Sequence, residues 1–434
     1  MPFPSWNPWT DRARAATPAA EVDRLAADPR VHRIFDWLAR HEREIADFQL
    51  AITAVPAPPF CEQARADFLR ERFEALGMAT SLDDAGNLLA QRGEVGSGGA
   101  AIAISAHLDT VFPAGIELDV RREGDRLLGP GISDNGAGLA ALWALASAFT
   151  ACGISTGAPL LFIANVGEEG EGNLRGMRHL YRGYGADANG GHAAAGASEI
   201  AALIALDGAG VNSVITQALG CRRFEVSIAG PGGHSWSDYG TPNPIVAAAL
   251  AIRRLAQLPL PLNPRTTMNI GCIEGGTSVN TIPAESVFKV DFRSVDAAWL
   301  DELEARLRDA VGEACAEVET GSTLPAGCLN YNIVLMGERP VGELAESSPL
   351  LAAIRAVDAH LGIRSELLRA STDANIPLSL GLPALSLGAG GNGGGAHTVH
   401  EWFDPAGREQ ALKRLALAAL LLAKLADAED GVRR

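Results

Sequence analysis

The 434-residue chain carries 36 Lys and Arg against 52 Asp and Glu, for a formal net charge of -16, and 47% of its residues are hydrophobic. That length exceeds what one core usually fills, so two domains are expected, and the acidic balance excludes a nucleic-acid or anionic-membrane binder, whose footprint would be basic. The six cysteines, Cys61, Cys152, Cys221, Cys272, Cys315 and Cys328, form no C-x-x-C pair, which predicts buried free thiols in a reducing compartment and no disulfide framework.

Residues 1–28 are rich in Pro, Ala and Trp without a clear period, and they read as an extension that wraps the body. They lack a basic segment followed by an apolar core, so no signal peptide is expected. Helices are predicted over Val31–Ile52, from Ile34, Leu38, Ile45 and Phe48, and over Phe60–Leu76, with Gly77 as the C-cap. From about residue 80 strands and helices alternate: a strand near Asn87–Gln91, a strand at Ala101–Ala106, a helix at Leu139–Phe149, and strands at Pro159–Asn165 and Ile200–Leu206. This order predicts an α/β fold with a mixed, mostly parallel sheet flanked by helices.

Between about Ile215 and Gly337 the texture changes. Arg223–Ile228 and Val287–Phe292 alternate like half-buried antiparallel strands, with helices over Asn243–Leu258 and Ala297–Val311, so a smaller inserted α+β domain is expected. The alternation then returns with a helix at Pro349–Leu361, a strand at Ala384–Leu387 and a final helix at Arg408–Leu425. The apolar run Leu415–Ala423 is too short to span a bilayer. The expected division is a catalytic domain at 1–215 and 339–434, with the insertion at 216–338.

The acids and imidazoles fall at strand ends. His107 and Asp109 are two apart, so their side chains leave the same face of an extended chain, and one can bind a metal while the other orients its imidazole. Asp134 sits in the glycine-lined turn GISDNGAG, as a metal bridge or as a helix N-cap. Glu168 and Glu169 point to opposite sides, one able to ligate and the other to act as general base; the alternative, with Glu171, is a solvated acidic loop. Asp207 ends a third strand, and His397 or His400 follows the loop Gly388–Gly395. That loop is no P-loop, since no Gly-Lys-Ser/Thr follows it. A mixed His and carboxylate set suits Zn²⁺, with Co²⁺ or Mn²⁺ as substitutes, and ligands around one shared carboxylate are enough for two ions.

In order, the chain reads SAHLDTV, GPGISDNGAG, NVGEEGEGNLRG, LDGAG, PGGHSW, GGTSVNTIP, VDFRS and GAHTVHEWF. With these motifs it resembles the dimetal peptidases and amidohydrolases that include peptidase T, carboxypeptidase G, aminoacylase and succinyl-diaminopimelate desuccinylase. The resemblance implies two Zn²⁺ per chain, with His107 and Asp207 on different metals, Asp134 bridging, Glu169 a ligand, Glu168 the general base and Asp109 the carboxylate behind His107. It implies His397, four residues before Glu401, as the last ligand, with His400 the fallback. It also implies a ferredoxin-like inserted domain acting as lid and dimerisation module, whose His234 reaches into the partner's site to steady the oxyanion. Asn280 and Arg293 resemble the family's substrate-binding pair, although Arg293 could instead pair with Asp291 or Asp296. The stretch from Arg369 resembles R-G-G-T-D of peptidase T with Ala and Ser replacing the glycines, and that resemblance implies Arg369 as a further substrate contact.

The expected protein is a cytoplasmic, homodimeric dizinc hydrolase of di- or tripeptides, closest in style to peptidase T-like aminopeptidases. The alternatives are an N-acyl amino acid deacylase with the same site and a binding protein that kept the fold and lost catalysis. A phosphate binder using the glycine loop would need a basic residue that the loop lacks.

Overall fold

The computed structural model of the chain describes residues 17–93, 100–182, 200–322 and 324–430, with side chains through Lys424. In chain order the elements are α1 (Pro18–Ala26), α2 (Pro29–Arg40), α3 (Glu42–Thr53), α4 (Gln63–Ala75), β1 (Ala79–Leu82), β2 (Leu88–Arg92), β3 (Ala101–His107), β4 (Arg121–Glu123), β5 (Arg126–Leu128), α5 (Gly136–Ala151), β6 (Leu160–Asn165), α6 (Arg175–Leu180), β7 (Ile200–Leu206) and β8 (Ser213–Ala218). They continue as β9 (Gly220–Ala229), β10 (Gly233–His234), α7 (Pro244–Ala256), β11 (Thr267–Gly275), β12 (Thr281–Ile282), β13 (Glu285–Ser294), α8 (Ala297–Thr320) and β14 (Asn330–Arg339). The last are β15 (Gly342–Glu343), α9 (Pro349–Leu361), β16 (Glu366–Ala370), α10 (Asn375–Ser379), β17 (Ala384–Leu387), β18 (Asn392–Gly394), β19 (Trp402–Asp404) and α11 (Arg408–Asp430). Two compact units result, one of Met1–Ala218 with Gly342–Arg434 and one of Leu219–Val341.

The first unit is built on a nine-stranded sheet ordered β1-β2-β6-β3-β7-β17-β8-β15, with β16 also paired to β8. Its centre, β6-β3-β7-β17, is parallel. β3 and β7 are buried along their whole length, which is why both read as continuous apolar runs without alternation. α5 packs against β3 and β7 and against α2, α3, α4 and α11. Every residue from Gly136 to Phe149 is buried, so this helix has no polar face. Phe48 and Trp143 stack with ring centres 4.5 Å apart, fixing α3 on α5.

In the second unit, β9-α7-β11-β13-α8-β14 forms a four-stranded antiparallel sheet ordered β11-β13-β9-β14, the ferredoxin-like arrangement. Phe224, Phe288 and Phe292 are buried with α7 and α8 residues such as Ala251 and Leu307.

Several expectations need correction. The N-terminal extension does not run to residue 28. Thr17 caps α1 through its side chain, and Val22 and Ala26 are buried, an amphipathic stretch too short for its period to show in sequence. Residues 1–16 of that extension lie outside the described residues. The helix expected over Val31–Ile52 is broken at His41, whose ring stacks on Trp37 at 4.1 Å, and the seven-residue gap between Leu38 and Ile45 marks the junction. α8 runs on to Thr320 because Ala314 and Cys315 continue its buried face. Only Cys221 and Cys315 are buried; Cys61 and Cys272 are exposed and Cys152 and Cys328 half-buried, all of them free. Among the described residues no helix is long and apolar enough to cross a membrane.

One buried charge ties the helical layer to the site. Arg65 of α4, 1% exposed, donates to the carbonyls of Thr53 at 3.2 Å, Val55 at 2.6 Å and Leu108 at 2.7 Å. Burial pulls its pKa down to about 10, still protonated at neutral pH. Arg65→Leu leaves these carbonyls without their donor, and the expected cost is about 3 kcal/mol, read as a lower urea midpoint; an unchanged midpoint would show that the clamp is dispensable.

Candidate active site

The site lies where open α/β sheets place ligands, beyond the carboxyl ends of parallel strands. β3 ends at His107, and Asp109 follows it. β6 ends at Asn165, three residues before Glu168 and Glu169. β7 is followed by Asp207, and β17 by the glycine loop that leads to His397. Because these strands are adjacent and parallel, residues from four separate segments meet in one place.

Asp134 sits between two imidazoles. Its Oδ1 is 3.0 Å from Nε2 of His107, and its Oδ2 is 3.2 Å from Nε2 of His397. The same His397 nitrogen is 3.1 Å from Oε1 of Glu169. Ligand atoms of His107, Asp134 and Glu169 all lie within 4.8 Å of one another. His397 holds a left-handed backbone, φ 65°, a conformation that non-glycine residues rarely keep without a local reason. The N-cap of α5 is Asn135, whose side chain accepts the Gly138 N–H at 3.1 Å, so the capping role considered for Asp134 belongs to its neighbour.

Two buried carboxylates grip the backbone around these groups. Asp109 accepts the N–H of Glu168 at 2.9 Å and of Glu169 at 2.7 Å, one on each oxygen. Its own carbonyl, and not its carboxylate, is the near partner of His107 Nδ1, at 3.0 Å against 3.6 Å. Glu401 accepts N–H groups from Gly131 at 2.9 Å, Ser133 at 2.8 Å and Asp134 at 2.7 Å. Gln49 of α3 adds a bond to the Ile132 carbonyl at 2.6 Å. The Asp134 turn is thus held along four consecutive residues.

The glycine loop is a packing device. A Cβ on Gly393 would lie 2.5 Å from Ser133 Oγ and 2.9 Å from Ala209 Cβ, and one on Gly388 would lie 2.4 Å from the Gly210 carbonyl. The loop threads between the turn bearing Asp134 and the segment after Asp207, where no side chain fits.

The electrostatics follow from the crowding of these charges. Burial and the Asp134 carboxylate push Asp207 up to about 7, with Asp373 and Glu169 adding to the effect. Hydrogen bonds that its ring donates to Asp134 and Glu169 raise His397 to about 10. His107 is raised well above its ordinary value, because the neighbouring Asp109 and Asp134 carboxylates outweigh burial. Asp134 is lowered by both imidazoles against the pull of burial. The carboxylates therefore demand positive charge on both sides of Asp134. An all-nitrogen and oxygen donor set with that demand fits divalent metal ions of the zinc type.

Asp207 is half-buried beside this cluster, Glu168 is buried, and Glu171 is exposed on the turn Gly170–Gly172. His400 is exposed, its backbone N–H on Thr398 Oγ1, while Arg369 lies on the exposed strand β16. His234, Asn280 and Arg293 belong to the second unit. His234 and Asn280 are neighbours there, the Ser235 N–H donating to the Asn280 carbonyl at 3.0 Å. Arg293 Nε pairs with Asp291 at 2.7 Å, one of the partners foreseen for it. Asp373 and Asn165 were not singled out by sequence. The Asn165 amide donates to both Asp373 oxygens, at 2.8 and 2.9 Å, and the visible signal was an acid closing the short stretch that begins at Arg369.

A sheet-end cluster of imidazoles and carboxylates gathered around one aspartate could hold metal ions. The chain belongs to peptidase family M20/M25/M40, whose family model matches residues 103–424. YqjE of Bacillus subtilis (strain 168), an uncharacterized protein, is 25% identical over 375 residues, covering 81% of this chain and 91% of its own. Acetylornithine deacetylase of Myxococcus xanthus is 31% identical over 251 residues, 53% of this chain and 61% of its own. The aminopeptidase PepT from Bacillus cereus ATCC 10987 shares the fold, with a TM-score of 0.66 at 21% identity over 89% of this chain and 98% of that one.

Glu401→Gln turns an amide N–H₂ towards backbone donors, so the Asp134 turn should loosen and metal affinity fall by about 10- to 100-fold. Titration with Zn²⁺ or Co²⁺ by calorimetry checks this.

Proposed function

We propose that the chain is a two-metal hydrolase of peptide bonds in di- or tripeptides, acting in the cytoplasm as a homodimer. The observation that carries this reading is Asp134, which offers one oxygen towards His107 and the other towards His397. In it, His107, Glu169, Asp207 and His397 would hold the two ions, with Asp134 shared between them. Zinc is the favoured metal for this donor set, with cobalt or manganese as substitutes. When bound, such a pair of ions polarises a carbonyl and lowers the pKa of water towards neutrality.

Glu168 supplies the proton chemistry. Its carboxylate takes a proton from the attacking water and returns it to the departing nitrogen, so that one residue serves as base and then acid. Asp109 sets its position by holding the Glu168 and Glu169 backbone from behind. His234, reaching in from the second copy of a dimer formed through the inserted unit, donates a hydrogen bond to the oxyanion. Asn280, Arg293 and Arg369 bind the substrate's polar ends. Asp291 takes Nε of Arg293, and the η nitrogens form the fork that suits a carboxylate.

Cleavage of an N-acyl amino acid is the second reading, supported by the acetylornithine deacetylase of Myxococcus xanthus among the relatives. A panel of dipeptides, tripeptides and N-acetyl amino acids separates the two. Faster turnover of free-amine peptides is expected, and hydrolysis of acylated amino acids alone would favour the deacylase. Glu168→Ala should keep its metal content while kcat falls by at least about 100-fold; near-normal turnover would remove Glu168 from the base role.

A further inference from the structure

The turn from Gly232 to Gly240 in the second unit is built around His234. Gly233 and His234 pair with Ile282 and Thr281 to form the β10–β12 ribbon. The Asp238 carboxylate accepts the His234 backbone N–H at 2.7 Å, and the Asp238 N–H donates to the His234 carbonyl at 3.0 Å. Between these bonds the chain doubles back, and the backbone N–H groups of Trp236 and Ser237 meet the His234 ring at Nδ1, at 3.2 and 3.5 Å. A Cβ on Gly233 would lie 2.9 Å from the Asp238 carboxylate, so glycine is what lets the acid come this close.

A backbone amide can only donate. Nδ1 must then supply a lone pair, and in the neutral imidazole the remaining proton sits on Nε2. We infer that Asp238 is a positioning residue, which holds the turn that fixes His234 as its Nε2–H tautomer. The ring becomes a one-way donor: its only lone pair faces its own backbone, and Nε2 has none with which to accept a substrate proton. The inference rests on the reading of His234 as a group that meets substrate, and it adds what sets the direction of that hydrogen bond. A donor poised in this way suits a developing oxyanion and excludes a general-base role for His234.

The test uses the full-length protein labelled with ¹⁵N-histidine, in which long-range ¹H–¹⁵N correlation distinguishes the tautomers and His234→Gln assigns the resonance. The Nε2–H tautomer is expected in the wild type and in Asp238→Asn, which keeps an acceptor oxygen, and a mixture of tautomers in Asp238→Ala. In parallel, kcat of Asp238→Ala should fall about tenfold with KM within about twofold, and Asp238→Asn should recover most of it. An Nδ1–H ring in the wild type, or an Asp238→Ala protein with wild-type nitrogen shifts and kcat, overturns the inference. Should Asp238→Ala not fold, the wild-type spectrum and Asp238→Asn decide alone. Full turnover by His234→Gln would remove His234 from the reaction while leaving the tautomer result standing, so the two failures are distinguishable.

Discussion

The convergence of carboxylates at the ends of adjacent parallel strands is the constraint on which the rest of the first unit depends. Asp134, Glu169 and Asp207 cannot share one half-buried place as anions without positive charge among them, and the shift of Asp207 to about 7 expresses its burial together with that repulsion. Two imidazoles flank Asp134 on its separate oxygens, so the demand is divided between two positions. The parallel strand order β6-β3-β7-β17 brings these groups together from segments far apart in the chain.

Holding such groups in place against their repulsion needs fixed backbone, and the protein uses one device repeatedly. A carboxylate is turned inward to accept backbone N–H groups: Asp109 behind Glu168 and Glu169, Glu401 beneath the Asp134 turn, and Asp238 behind His234. Each of these bonds pairs a charged acceptor with amides that would otherwise need other partners, and charge-assisted bonds are about twice as strong as neutral ones. Glycines make the approach possible, as at Gly393 between the two acidic segments and Gly233 beside Asp238. The glycine-rich loop after β17 therefore serves geometry and not phosphate recognition.

Much of this was legible in sequence because buried parallel strands leave a plain trace. An apolar run that stops at a His or Asp locates a strand end, as at His107 and Asp207, and Glu169 follows the end of β6 by four residues; the family motifs favoured His397 over His400. What could not be read was whatever depends on partners distant in sequence. Gln49 is one polar residue in an apolar helix face, and nothing local reveals that it meets Ile132. Arg65 reads as an ordinary helix cation, yet it is buried among carbonyls. The small sheet β18-β19-β5-β4 has strands of three residues, too short for any alternation to show. The break at His41 and the helix at Pro18 were missed for the same reason, since a period needs length to be recognised.

The division of donors by Asp134 is tested most directly by counting metal. Elemental analysis of protein purified without chelator, compared with Asp134→Ala, should give about two divalent ions per wild-type chain and a loss of both in the variant. A wild-type protein that hydrolyses peptides with one ion or none, or an Asp134→Ala protein that keeps two, would contradict a site organised around a shared aspartate.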